Sequence, residues 1–128
     1  MDISVIIPTY KPGSYVWECL DSVYNQTFPG RRYEVIIILN GCNEPYYSQI
    51  EEYISSHSDR CTFSLIQTDE SGVSNARNIG IENSNGKYLT FVDDDELNDF
   101  ADSWVQLIAT GQFAGEVIKG HDIRDYMA

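Results

Sequence analysis

The chain has 128 residues, 42% of them hydrophobic, and 20 acids against 8 bases give a formal net charge of −12. That length suits one domain spanning residues 1–128 rather than two, and no apolar stretch approaches the roughly 20 residues that cross a bilayer. The acid excess argues against a nucleic-acid partner, because phosphate backbones are held by Lys and Arg.

An acidic protein that binds a phosphorylated ligand needs another source of positive charge, and a metal ion is the obvious one. The cysteines (Cys19, Cys42 and Cys61) lack metal-ligand spacing and read as reduced thiols of a cytosolic protein. Met1-Asp2-Ile3-Ser4 has no basic region and leads straight into an apolar run, which reads as a first strand and not a signal peptide.

In chain order, Ile3 to Ile7 is a short apolar run ended by Pro8, the pattern of a buried strand. Ser14 stands where it can cap a helix with Val16, Cys19, Leu20 and Val23 at i, i+3, i+4, i+7. Val35 to Leu39 is a continuous, mostly β-branched strand bounded by Asn40-Gly41. Pro45 suits the first turn of a second helix, with Tyr47, Ile50 and Ile54 on one stripe.

Thr62 to Ile66 predicts a third strand. Gly72 to Ser84 predicts a helix with Val73, Ala76 and Gly80 on its inner face. Tyr88 to Val92 predicts a fourth strand, Asp99 to Thr110 a helix, and Glu116 to Lys119 a fifth strand. Strands separated by helices imply βαβ units in an α/β fold with a mostly parallel sheet. Ligands of such sheets sit outside the carboxyl ends of the strands. The residues to inspect are therefore Pro8-Thr9-Tyr10, Asn40-Gly41-Cys42, Gln67-Thr68-Asp69 and Asp93-Asp94-Asp95.

The last of these groups carries the chemistry. Asp93-Asp94-Asp95-Glu96 sets four acids in a row after a buried strand, where like charges repel and screening is poor. A solvated loop feeding acids to a helix N-terminus is the bland reading. At a strand end, oxygen ligands also suit Mg²⁺ or Mn²⁺, which are held by one or two carboxylates plus substrate phosphates. A phosphoacceptor receiver domain, which also alternates strands and helices around an acidic pocket, needs an acid pair after strand one. Pro8-Thr9-Tyr10 offers none.

The segments Gly72-Val73-Ser74-Asn75-Ala76-Arg77-Asn78-Ile79-Gly80 and Gly86-Lys87-Tyr88-Leu89-Thr90-Phe91-Val92-Asp93-Asp94-Asp95 closely resemble family 2 glycosyltransferases. Their pattern there is G-x-S-x-A-R-N-x-G, then G-x-Y, apolar residues and D-x-D-D. Val5-Ile6-Ile7-Pro8-Thr9-Tyr10 and Leu20-Asp21-Ser22-Val23-Tyr24-Asn25-Gln26-Thr27 match as well. The resemblance runs from about residue 3 to about residue 110, with four motifs in order.

It implies a GT-A fold, Rossmann-like, with helices flanking the sheet. It also implies a nucleotide-diphosphate sugar donor, with UDP-sugar as the first expectation, and an inverting transfer to a saccharide or lipid-linked acceptor in polysaccharide biosynthesis. Carried over by position, Pro8, Thr9 and Tyr10 would line the base and ribose pocket. Asp93 would reach the ribose or the metal's water shell, and Asp95 would ligate Mn²⁺ or Mg²⁺. Asp94, the variable middle residue, would point away. Arg77 has two readings: it approaches the diphosphate or Asp93, or it pins its helix to the sheet through a buried carboxylate pair. Asn78 and Gly80 look structural.

The loop after strand two reads D-D-G-S-x-D in the family and Leu39-Asn40-Gly41-Cys42-Asn43-Glu44 here. Asn40 can still offer a nucleobase a donor and an acceptor, and Glu44 is a candidate for the last acid. The family's general base and acceptor pocket lie well beyond the D-x-D strand. Glu116, Asp122, Asp125 and His121 match no motif, so the catalytic base is unassigned and the chain is expected to stop before the acceptor half. A missing half predicts exposed apolar surface and self-association. The implied location is cytoplasmic, extending to peripheral association with the inner face of the membrane. The alternative is a degenerate, non-catalytic nucleotide- or partner-binding module of the same fold.

Overall fold

The computed structural model describes residues 2–95 and 117–119. Four strands run parallel: β1 (Ile3–Thr9), β2 (Tyr33–Asn40), β3 (Thr62–Thr68) and β4 (Tyr88–Phe91), while β5 (Val117–Lys119) lies antiparallel to β4. The sheet order is β3-β2-β1-β4-β5. The helices are α1 (Tyr15–Tyr24), α2 (Tyr46–Ser56) and α3 (Val73–Glu82). The expected α/β fold with a mostly parallel sheet is thus present. The predicted helix from Asp99 to Thr110 lies outside the described residues, as do Glu116, His121, Asp122 and Asp125.

Every residue of β1 and β2 is buried, as a parallel sheet covered on both faces requires. Alternate side chains feed two cores. Ile3, Val5, Ile7, Val35, Ile37 and Leu39 pack with Val16, Cys19, Leu20 and Val23 of α1 and Ile50 of α2. Ile6, Ile36, Ile38 and Leu89 pack on Ala76 and Ile81 of α3. The stripe predicted for α1 is the set of residues that helix buries. Gly80 permits the close approach of α3, since a Cβ there would stand 2.5 Å from Ile6 Cγ2.

Three local expectations are revised. Ser14 occupies the N-cap of α1, but its backbone is helical (φ −62°, ψ −21°) and its hydroxyl makes no cap bond. Glu44 serves α2 instead, accepting from the Ser48 amide at 2.8 Å and the Ser48 hydroxyl at 2.5 Å. These bonds hold its carboxyl below the usual range. Val73 is 52% exposed, because the first turn of α3 stands past the end of the sheet, where there is nothing to bury it.

The opposite end of the sheet is fixed by a polar knot. Buried Glu34 accepts from Ser4 Oγ at 2.6 Å and from the Asn85 amide at 2.6 Å, and Ser4 Oγ accepts from the Gly86 amide at 2.8 Å. This ties the turn before β4 to β1 and β2. No described helix is long and apolar enough to cross a membrane.

Candidate functional site

At the carboxyl ends of β1, β2 and β4 and the N-terminus of α3 lies an open cleft of about 540 Å³, within the range of small-molecule sites. Pro8, Thr9 and Tyr10 come from the end of β1, Asn40 from β2 and Asp93-Asp94-Asp95 from the loop after β4. Seven of the eight residues expected from the sequence therefore share one wall-and-floor arrangement. Tyr15, Ser71, Gly72 and Val73 also line it. Sequence reading missed these four, although a glycine before a helix at the end of a parallel strand is the signal for such a rim. Among the described residues, the large hydrophobic side chains left exposed are Tyr10, Tyr15 and Val73, and all three edge this cleft.

Arg77 is the exception. It does not line the cleft, and among the described residues it pairs with no carboxylate, Asp93 included. Its guanidinium lies over the Phe91 ring, 5.0 Å from the centroid, with Nε buried and unpaired. The physical reason is helix phase: Ala76 and Gly80 face the sheet, which turns residue 77 sideways along β4.

The acids alternate. Asp93 and Asp95 are exposed and Asp94 is half-buried, so the inward-outward period of β4 carries on past the strand from buried Val92. Asp94 turns to the end of β1. Its Oδ2 accepts from Thr9 Oγ1 at 2.5 Å. Burial pushes the Asp94 carboxyl above its ordinary value, the Thr9 hydroxyl pulls it back, and the charges of Asp95 and Asp93 add to the rise. The loop is further held where Cys19 Sγ approaches the Asp93 carbonyl at 3.5 Å.

Asn40 is 5% exposed, and its amide is occupied by the chain itself. Nδ2 donates to the Thr9 carbonyl at 2.9 Å, and Oδ1 accepts from the Gly72 amide at 3.0 Å. The expected offer of donor and acceptor to a nucleobase is thus reduced to whatever remains after these two bonds. Glu44, bound to Ser48, lies outside the cleft lining.

The donor set fits a hard divalent cation. Asp93 and Asp95 present two accessible carboxylates, and oxygen is the ligand atom Mg²⁺ and Mn²⁺ prefer. Among the described residues no group of three or more His, Cys, Asp or Glu converges on one point. A protein that supplies two ligands leaves the remainder to substrate oxygens and water, which is the usual arrangement for a metal bound with a diphosphate.

Comparison with known proteins identifies the family and the fold. The glycosyl transferase family 2 model matches residues 4–110. The chain is 38% identical over 93 residues to the glycosyltransferase AglE of Haloferax volcanii, covering 73% of this chain and 30% of that protein. It is 34% identical over 94 residues to the glycosyltransferase GlyA of Streptococcus pneumoniae, covering 13% of that protein.

Among solved structures, Staphylococcus aureus TarS 1–349 superposes with a TM-score of 0.75 at 26% identity, over 87% of this chain and 33% of that one. Its complex with UDP-GlcNAc superposes at 0.72. A Pyrobaculum calidifontis mannosyltransferase, solved with GDP-Man and Mn²⁺, shares the fold at a TM-score of 0.74 and 24% identity. The chain spans only a minor part of each of these proteins. Its fold is GT-A, its acid loop closes a cleft where such folds take their ligands, and it belongs to glycosyltransferase family 2.

Proposed function

We propose that this chain forms the donor-binding half of an inverting, metal-dependent glycosyltransferase that takes a sugar from a nucleotide diphosphate, UDP first among the candidates, to a saccharide or lipid-linked acceptor. The observation that carries the reading is the cleft itself. Pro8, Thr9, Tyr10, Asp93 and Asp95 line it together, and a protein with net charge −12 presents its acids there. Tyr10 and Tyr15, half-exposed at the rim, offer flat apolar faces to a base or a sugar ring.

Departure of the sugar leaves negative charge on the diphosphate, and a divalent ion held by Asp95 and Asp93 would neutralise it. The UDP and UDP-GlcNAc complexes of the related TarS protein support a uridine nucleotide. With a lipid-linked acceptor the work would be done at the cytoplasmic face of a membrane.

The test is release of UDP from UDP-GlcNAc and UDP-glucose by the purified chain with Mn²⁺ or EDTA. Metal-dependent release that Asp95→Ala abolishes is expected, because a formed donor site leaks some hydrolysis. A second reading, a binding module without turnover, is favoured by the engagement of Asn40 with the main chain. In that case UDP binds with metal but is never released from a sugar.

A further inference from the structure

We propose that Thr9 and Asn40 are positioning residues, a latch that aims the acid loop. The inference deepens the donor-site reading and rests on it for its ligand. A continuous set of hydrogen bonds runs from α3 to the acids: the Gly72 amide to Asn40 Oδ1, Asn40 Nδ2 to the Thr9 carbonyl, and Thr9 Oγ1 to Asp94 Oδ2, at 3.0, 2.9 and 2.5 Å. The orientation of the Asn40 amide is fixed by chemistry, since an N–H can only donate and a carbonyl can only accept.

Thr9 and Asn40 are 2% and 5% exposed, and their polar atoms are engaged with Asp94, with the Gly72 amide and, through Asn40 Nδ2 and the Thr9 carbonyl, with each other. What the latch achieves is a sorting of three adjacent like charges. Asp94 is drawn inward to the Thr9 hydroxyl, and the alternation of the chain then turns Asp93 and Asp95 outward into the cleft. Without the hydroxyl Asp94 loses the partner that holds its carboxyl inward, and only the strand's alternation and the Cys19 contact remain to sort the three. The backbone is shaped to the same end: Gly72 at φ 133° brings its amide to Asn40, a conformation L side chains rarely adopt.

The test compares Thr9→Val, which keeps shape and removes the hydroxyl, with Thr9→Ser, which keeps the hydroxyl. UDP affinity is measured by calorimetry in Mn²⁺ and in EDTA. Thr9→Val should cut the enhancement of UDP binding by Mn²⁺ roughly tenfold, the scale on which partners behind metal ligands act. The loss should be larger in Mn²⁺ than in EDTA, and Thr9→Ser should restore the enhancement. An undiminished enhancement in Thr9→Val overturns the proposal, as does an equal loss with and without metal, which a merely structural role would give.

If wild type binds no nucleotide under either condition, the donor-site reading fails on its own. The latch is then judged on the ligand-free chain by ¹⁵N relaxation of residues 93–95. Greater mobility in Thr9→Val but not in Thr9→Ser supports it, and unchanged mobility refutes it. Should Thr9→Val not fold, Asp94→Leu breaks the same bond from its half-buried end and must produce the same loss.

Discussion

Asn40 gives the most decisive test of the packing around the cleft. Replacing it with Ala removes two hydrogen bonds at once. The Thr9 carbonyl belongs to a residue 2% exposed, and stranding it costs about 1–3 kcal/mol. The Gly72 amide is on an exposed residue and can turn to water, so its bond contributes only the net ~0.5–1.5 kcal/mol of an ordinary one. The sum, roughly 1.5–4.5 kcal/mol, lowers the urea midpoint by about 1–2 M at an unchanged m-value of about 2 kcal/mol/M.

Asn40→Asp is the sharper variant because it changes one atom. It keeps the acceptor for Gly72 but sets a carboxylate oxygen against the Thr9 carbonyl, so at neutral pH it should be at least as destabilised as Asn40→Ala. Protonation gives that carboxyl an O–H that can donate to Thr9. The deficit of Asn40→Asp should therefore shrink as the pH falls towards about 4, while that of Asn40→Ala stays constant. If both variants unfold within about 0.5 kcal/mol of wild type, the bridge contributes nothing and the reasoning is wrong.

Three further outcomes follow from single contacts. Asp94→Asn should stabilise the ligand-free chain at neutral pH by about 0.5–1 kcal/mol, a solvent-screened interaction. Because the folded pKa of Asp94 is raised, its cost is present above that pKa and vanishes as the pH falls through the window down to the unfolded value. The advantage of the Asn variant over wild type should close over that window in thermal melts.

Gly80→Ala places a methyl 2.5 Å from Ile6 Cγ2. Overpacking of about 1–3 kcal/mol, less the ~1 kcal/mol helical gain of Ala over Gly, leaves a net loss readable in urea unfolding. Gly86→Ala would meet the Ser4 amide nitrogen at 2.5 Å, backbone that cannot yield. It should cost about 3 kcal/mol, the upper end for overpacking, and raise amide exchange at Asn85 and Gly86.

Much of the fold was legible because period and burial speak directly. The stripe Val16, Cys19, Leu20, Val23 and the continuous run Val35 to Leu39 have one physical solution each, a helix on a sheet and a strand covered on both faces. Val73 misled because periodicity describes a helix without saying where the sheet beneath it ends.

In the site, residue types at strand ends located the cleft, and the resemblance named the chemistry. The roles of individual polar atoms were less accessible. That Asn40 would bond main chain rather than ligand depends on the approach of Gly72, which is 32 residues away in sequence. The inward turn of Asp94 could have been read by extending the strand's alternation from Val92 by two residues. Arg77 over Phe91 depended on helix phase, a matter of degrees that motif matching ignores.

The central claim, a donor site built on the acid loop, is tested most directly by calorimetric titration of UDP into the chain with Mn²⁺ and again with EDTA, alongside Asp95→Ala. The account predicts binding that strengthens with Mn²⁺ and loses that strengthening in Asp95→Ala while the variant remains folded. Binding that is indifferent to metal, or equal in Asp95→Ala and wild type, would contradict it.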